Sequence, residues 1–244
     1  MSQVIRLLMV EDWDDSYVVK ALFEVSNVGA SIIKDERLRR LPQSIKEDHE
    51  RKITWLELQG GITLGVYVAG VPELLLGIPR ACRLMSNLDA LALVTDANHD
   101  FTLRWKEVRN QFDQAGYPLP ELTSDGLSVD LPGGPRIGVW VMPNNADTGM
   151  LEDWLISLIP DNDKILPLVR QFVTGMDESI RPFKNVTKAI LRTWMALQFR
   201  PERTISQTIA GDDALFDRTK ANCPQYLAWL RRVLVDNRPE LPAS

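Results

Sequence analysis

Apolar residues fall in short dense runs separated by amphipathic stretches, and the alternation of the two predicts the fold. Val4 to Val10 is a compact apolar run with Arg6 inside it, and Asp14 to Val25 then carries Tyr17, Val18, Ala21, Leu22 and Val25 at helical spacing. Strand then helix is the reading. Ile53 to Leu58 alternates apolar and polar residues as a half-buried strand does, and the Gly60-Gly61 pair ends it as a turn. Ile62 to Ala69 suits a strand or a helix, and Pro72 followed by Glu73 marks a helix start running towards Met85. Leu88 to Val94 is apolar almost throughout and stops at Thr95-Asp96-Ala97-Asn98, the pattern of a parallel strand buried on both faces. Leu103 to Ala115 sets Trp105, Val108 and Phe112 on one side of a helix that Gly116-Tyr117-Pro118 ends. Gly126 to Asp130 reads as a short strand, Pro132-Gly133-Gly134-Pro135 as a turn, and Arg136 to Met142 as another buried strand leading into Pro143-Asn144-Asn145. A helix follows from Met150 to Ile159, and from Ile165 to Leu234 the patterns are helical throughout.

This order of elements predicts an α/β fold, an open and mostly parallel sheet with flanking helices and right-handed crossovers, followed by a helical carboxy-terminal extension. Residues 1–160 would form the α/β core and 161–244 a helical extension packed on it. Between Lys34 and Lys52 both signs of charge dominate, which predicts a solvated excursion carrying the basic cluster Arg37, Arg39 and Arg40.

Composition narrows the class. With 244 residues, 45% hydrophobic and 25% charged, the chain has the proportions of a globular protein. Its 28 Lys and Arg against 33 Asp and Glu give a net charge of -5, so nucleic acid could be held only by a local patch and not by bulk positive charge. Cys82 and Cys223 make no disulfide framework, and with only His49 and His99 a histidine-rich metal site is excluded, so a reducing cytoplasm is expected. The start MSQVIRLLMVED lacks the layout of a signal peptide. The uncharged stretch Leu58 to Pro72 is broken by glycines and falls short of the roughly 20 apolar residues that span a bilayer, so no membrane association is expected.

In open α/β sheets ligands bind beyond the carboxyl ends of the strands, so the residues after each strand are read together. There stand Glu11, Asp12, Asp14 and Asp15, then Asp96, Asn98 and Asp100, then Asn144, Asn145 and Asp147, with Glu152 and Asp153 in the next helix. Carboxylates converging from separate strands are what a hard divalent cation takes, and without one they raise each other's pKa. Read singly, each of these residues is as much at home capping a helix or closing a turn. On the stretch 184–192, Lys184, Lys188 and Arg192 are four residues apart and would form one helical stripe, with Arg181 before it and Arg200 and Arg203 beyond. That stripe is either a phosphate-sized patch or a solvated face, and Trp194 and Phe199 beside it read as core residues.

Leu7-Leu8-Met9-Val10-Glu11-Asp12 resembles the opening of bacterial response-regulator receivers, but Trp55-Leu56-Glu57-Leu58-Gln59 stands where a receiver has its phospho-accepting Asp. The chain has a better resemblance to the Toprim domain of topoisomerases, bacterial primases and OLD-family nucleases. Such a domain has a Glu just after its first strand and a DxD motif after a later one, and Val10-Glu11 and Asp96-Ala97-Asn98 occupy those places. More closely, the chain is similar to a small bacterial family of Toprim-related proteins of unsettled function. That likeness runs through Asp15, Thr95-Asp96-Ala97, Gly138-Val139-Trp140-Val141-Met142-Pro143-Asn144-Asn145, Gly149-Met150-Leu151-Glu152-Asp153, Lys188-Ala189 and Thr193-Trp194, and it covers most of the chain.

The resemblance implies Glu11, Asp15 and Asp96 as ligands of Mg2+ or Mn2+, Glu152 as a ligand of a second metal, and Lys188 as a phosphate or transition-state partner. Asn98 departs from DxD by losing one charge, which weakens the metal site or passes the duty to Asp100. The implied activity is metal-dependent cleavage of DNA or RNA phosphodiesters, with Glu11, Asp96 and Lys188 catalytic and Lys184, Lys188, Arg192, Arg200 and Arg203 holding nucleic acid. The alternative is a catalytically weak Toprim-like module that binds nucleotide or nucleic acid and regulates a partner. OLD-type Toprim domains work with an ABC-type ATPase, and this chain has no Walker A motif, so such an ATPase would be a separate subunit.

Overall fold

A computed structural model describes residues 4–33, 53–83, 87–132, 134–211 and 215–237. The strands are β1 (Val4–Val10), β2 (Ala30–Ile32), β3 (Ile53–Leu58), β4 (Ile62–Val68), β5 (Ala90–Asp96), β6 (Leu127–Asp130) and β7 (Arg136–Met142). The helices are α1 (Trp13–Val25), α2 (Glu73–Arg83), α3 (Phe101–Gln114), α4 (Leu151–Ser157), α5 (Ile165–Thr174), α6 (Val186–Ala196), α7 (Ile205–Ala210) and α8 (Asn222–Leu234). All the strands join one seven-stranded open sheet of order β2-β3-β4-β1-β5-β7-β6. Its centre, β4-β1-β5-β7, is parallel, while β3 and β6 run antiparallel to their neighbours.

The central strands are buried along nearly their whole length because helices cover both faces. On one face Leu8, Val10, Ala92, Val94, Trp140 and Met142 pack with α1 and with the helices from α4 onward. On the other, Leu7, Met9, Leu91, Leu93, Val139 and Val141 pack against Leu74 and Ile78 of α2 and Val108 and Phe112 of α3. Tyr226, Trp229, Leu230 and Val233 of α8 share the first cluster with β1 and β7, so the carboxy-terminal helices complete one layer of the sheet's own cover. The approach is close: a Cβ on Gly138 would lie 2.6 Å from Val233 Cγ1, so α8 fits against β7 only because position 138 has no side chain.

One expectation is refined and one strand is added. Ile62–Val68 is a strand, paired antiparallel with β3 and parallel with β1, and burial on both faces is what removed the alternation that would have marked it. The short edge strand β2 has no distinguishing pattern, since its sequence is only Ala-Ser-Ile and it is largely solvent-facing. Arg37, Arg39 and Arg40, together with the rest of 34–52, lie outside the described residues, as do Met85 and Gly133. Among the described residues no helix is long and apolar enough to cross a membrane.

Candidate metal centre

β1 and β5 are adjacent and parallel, with Met9 opposite Leu93, so Glu11 and the Thr95-Asp96 pair leave the sheet side by side at its carboxyl edge. Glu11 is anchored there: one carboxylate oxygen accepts from the Asp96 amide at 2.8 Å and from the Thr95 hydroxyl. Asp12 caps α1, accepting from the amides of Asp14 at 2.8 Å and Asp15 at 3.2 Å. Asp15 completes the capping box by accepting the Asp12 amide at 3.0 Å through Oδ2. Its other oxygen, Oδ1, is buried and has no hydrogen-bond partner. Capping therefore accounts for only half of the Asp15 carboxylate.

Asp96 reaches across to the next loop, where its Oδ1 accepts from the Leu151 amide at 3.0 Å, a free N–H at the start of α4. The next residue, Glu152, is 2% exposed. The β5 and β7 loops are tied by a two-way backbone bridge, Asn98 N–H to Gly149 O at 2.7 Å and Gly149 N–H to Asn98 O at 2.8 Å. Gly149 has φ +136 and a Cβ there would meet Asp153 Oδ2 at 2.9 Å, so this junction needs glycine.

The expected acids then separate into two groups. Glu11, Asp15, Asp96 and Glu152 come together, and Asp12 joins them. Asp100 is exposed and caps α3, accepting from the Leu103 amide at 2.9 Å. Asp153 accepts the Met150 amide at 2.9 Å, Asn144 closes a turn with Asp147, and Asn145 binds the Val141 amide at 2.7 Å. Asn98 stands beside the cluster with a left-handed backbone, φ 54, that asparagine tolerates better than most residues.

Burial and mutual repulsion dominate the electrostatics. Desolvation, and then the charges of Asp96, Asp12 and Glu11, hold the Asp15 pKa well above the ordinary carboxylate range. Asp96 is raised well above that range by desolvation, then by Glu11 and Glu152. Desolvation also raises Glu11, although its bonds from Thr95 and the Asp96 amide and the charge of Arg104 act the other way. Glu152 is raised by burial against the pull of Lys188. Lys188 itself is pulled down by desolvation but more strongly held up by Glu152 and Asp12, so its ammonium is stabilised.

Lys188 points into this acidic edge. Its Nζ lies 3.1 Å from Glu152 Oε1 and 3.4 Å from Asp12 Oδ2. Arg192, one turn on, pairs with Asp14. The expected stripe of three is corrected by the helix start: Asn185 accepts the Lys188 amide at 2.8 Å and caps α6, so Lys184 lies before the helix and is exposed. Arg200 and Arg203 lie in the α6–α7 connection, and the face made by Lys188 and Arg192 is docked on the acidic first turn of α1. Trp194 is core, as its spacing implied, whereas Phe199 is 95% exposed.

Three contributors have no clear mark in the sequence. The Thr95 hydroxyl orients Glu11. Arg104 of α3 donates from Nε to the Asp96 carbonyl at 2.9 Å and from Nη1 to Glu107 at 3.2 Å. Tyr226 of α8 stacks on Trp229 at 5.9 Å and meets Trp154 edge-on at 5.4 Å. Desolvation, and then the charges of Asp15 and Asp96, hold its phenol well above its ordinary pKa. Only the position of Thr95 immediately before Asp96 could have been noticed in advance.

The acids at this edge present carboxylate oxygens, the donor type a hard cation takes. Among the described residues no group of three or more acidic, histidine or cysteine side chains is placed so that it could hold a metal ion. Each central carboxylate has one oxygen engaged with the protein, and Asp15 keeps an unpartnered one in a field of negative charge. Mg2+ binds in this manner, through one or two carboxylates while keeping several waters.

A search of curated proteins found none that matches the chain. Among solved structures it is similar to the crystal structure of hypothetical protein PH0156 from Pyrococcus horikoshii OT3, at 17% identity and a TM-score of 0.52, over 94% of this chain and 95% of that one. At that identity the likeness concerns the fold alone. A family model matches residues 5–235, and the chain accordingly belongs to the family described as Protein of unknown function (DUF3226).

Proposed function

We propose that this protein is a Toprim-type nuclease that uses Mg2+, or Mn2+, to cleave nucleic-acid phosphodiesters. The observation that carries this reading is the Asp15 Oδ1 atom, buried and unpartnered in the field of Glu11, Asp12 and Asp96 at the sheet's carboxyl edge. While ionised, such a cluster is unfavourable unless a cation occupies it. Glu11, Asp15 and Asp96 would hold the ion, with Glu152 at its edge. When bound, a divalent cation supplies an activated water and neutralises charge on the scissile phosphate. Lys188 carries its ammonium against Asp12 and Glu152, where exchange of its Asp12 contact for a phosphate oxygen would clamp the substrate. Thr95 holds the carboxylate of Glu11 in place, and Arg104 holds the main-chain carbonyl of Asp96.

Calorimetric titration with Mg2+ on the wild type and on Asp96→Ala tests the centre directly. Heat of binding in the first and none in the second is expected, and equal binding would refute it. For cleavage, Glu11→Gln and Asp96→Asn should each lose at least about a hundredfold in rate, since metal-borne stabilisation of the transition state amounts to several kcal/mol.

A second reading, a Toprim-like module that binds nucleotide or nucleic acid and regulates a separate ABC-type ATPase, is favoured by two observations. Asn98 replaces the second acid of DxD, and Lys188 already neutralises Glu152 and Asp12 with the protein's own cation. This reading predicts binding without cleavage in either metal.

A further inference from the structure

Trp13 and Tyr17 stand on the outer side of α1, one turn apart, directly after the capping acid Asp12. They are 46% and 48% exposed, and their rings stack with centroids 6.3 Å apart and planes inclined by 29°. Every other tryptophan, Trp55, Trp105, Trp140, Trp154, Trp194 and Trp229, is buried. A fold that buries its remaining indoles yet leaves one stacked and open presents a flat apolar face at the rim of its acidic edge.

The surroundings decide what that face would take. On one side, Asp12 and Asp14 of the same turn pair with Lys188 and Arg192, so the platform adjoins the place where a phosphate would be held. On the other, a cavity of about 200 Å³ opens between α1 and α7, lined by Tyr17, Lys20, Glu24, Ser206 and Gln207 among others. Gln207 commits its amide oxygen to the Thr204 amide at 2.9 Å, which leaves its NH2 group as a donor. An apolar peptide helix would find these walls too polar. A heterocyclic base matches them, since it has a π-face for stacking and donors and acceptors on its edge.

We infer that Trp13 and Tyr17 form a stacking platform for a base of single-stranded nucleic acid, beside the phosphate held at the carboxylate edge. Bases within a duplex have both faces covered by their neighbours, so the platform selects single strands or unpaired ends. This inference rests on the nucleic-acid reading above and adds the substrate class.

The test uses the full chain with Ca2+ in place of Mg2+, so that binding is read without cleavage. A short labelled oligothymidylate, an abasic strand of the same length and a duplex are titrated by fluorescence anisotropy, with tryptophan quenching reporting on Trp13. The thymidylate strand should bind about tenfold more tightly than the abasic strand, because a base–aromatic stack is worth that much in affinity. It should also quench the solvent-exposed emission. Trp13→Ala combined with Tyr17→Ala should lower its affinity to the abasic level, Trp13→Phe should retain it, and Trp13→Leu should not.

Equal affinity for thymidylate and abasic strands, or for single strand and duplex, overturns the platform. So does self-association of the protein that the double substitution abolishes, which would mark the pair as a contact between copies. If neither strand binds, the platform is again overturned, and Mg2+ calorimetry with the cleavage assay decides separately whether the wider reading falls too.

Discussion

At the scale of single residues, one carboxylate oxygen of Asp15 accepts the Asp12 amide while the other is buried without a partner among like charges. Asparagine keeps the acceptor and removes the charge. Asp15→Asn is therefore expected to raise metal-free stability at neutral pH, because it removes a desolvated charge held among like charges. The same change should erase any Mg2+-induced gain. Urea denaturation with and without Mg2+ reads both effects, and a destabilised metal-free variant would contradict the repulsion argument. Asn98 offers the converse experiment. Its φ of 54 suits aspartate as well, so Asn98→Asp should fold normally and tighten Mg2+ binding in calorimetry. Unchanged affinity would mean that this side chain takes no part in the centre.

At the scale of elements, the site depends on two helices packed closely from the far end of the chain. α8 is pressed onto β7 at Gly138, where a Cβ would come within 2.6 Å of Val233, so Gly138→Ala should cost about 1–3 kcal/mol by overpacking. Gly70 has nothing within 4 Å, and Gly70→Ala serves as the near-neutral control. Denaturation midpoints compare the two. α6 is held by charge over α1, through Lys188 with Asp12 and Arg192 with Asp14, and over α4, through Lys188 with Glu152. Lys188→Ala strands the buried Glu152 carboxylate and should cost about 1 kcal/mol, a value discounted because the lysine side chain is nearly half exposed. Adding Glu152→Gln should recover most of that loss. A double-mutant cycle with no coupling would show that the pair does not hold the helix.

For the whole molecule, the raised carboxylates make stability depend on pH in a definite direction. When the folded pKa of an acid lies above its unfolded value, the folded state binds more protons between the two values, so stability falls as pH rises through that window. Glu11, Asp15, Asp96 and Glu152 all have this sign. Asp177, which is exposed, and Asp217, which is partly so, have the opposite one, lowered by hydrogen bonds from Ser179 and Thr219. The metal-free protein should therefore lose stability as pH rises from the ordinary carboxylate range towards neutrality. Mg2+ should restore it most at neutral pH and progressively less on acidification, because protons compete for the same oxygens. Thermal melts over a pH series with and without Mg2+ measure this, and a metal-induced shift in Tm that does not vary with pH would count against the centre.

The local pattern of the chain was sufficient for the strands that anchor the site. β1, β3 and β7 coincide with their apolar runs, and the rule that residues after parallel strands meet at one edge gathered Glu11, Asp15, Asp96 and Glu152 within a larger set of acids and amides, from which the family resemblance singled them out. Periodicity reports which side of an element is buried, and that information is carried by neighbours in sequence. It was silent on β4, whose two buried faces abolish the alternation, and on β2, which is too short to have one. It also could not say which carboxylates serve as caps, because Asp12, Asp15 and Asp100 present the same chemistry and only their surroundings differ. Tyr226 and Arg104 join the site from separate helices packed on opposite faces of the sheet, through contacts far apart along the chain. The direction of Lys188 was decided in the same way, since the Asn185 cap sets where α6 begins and the packing of α6 turns the ammonium towards Glu152 and Asp12. Types of side chain and their order belong to the sequence, while their desolvation and choice of partner arise only when the layers close around them.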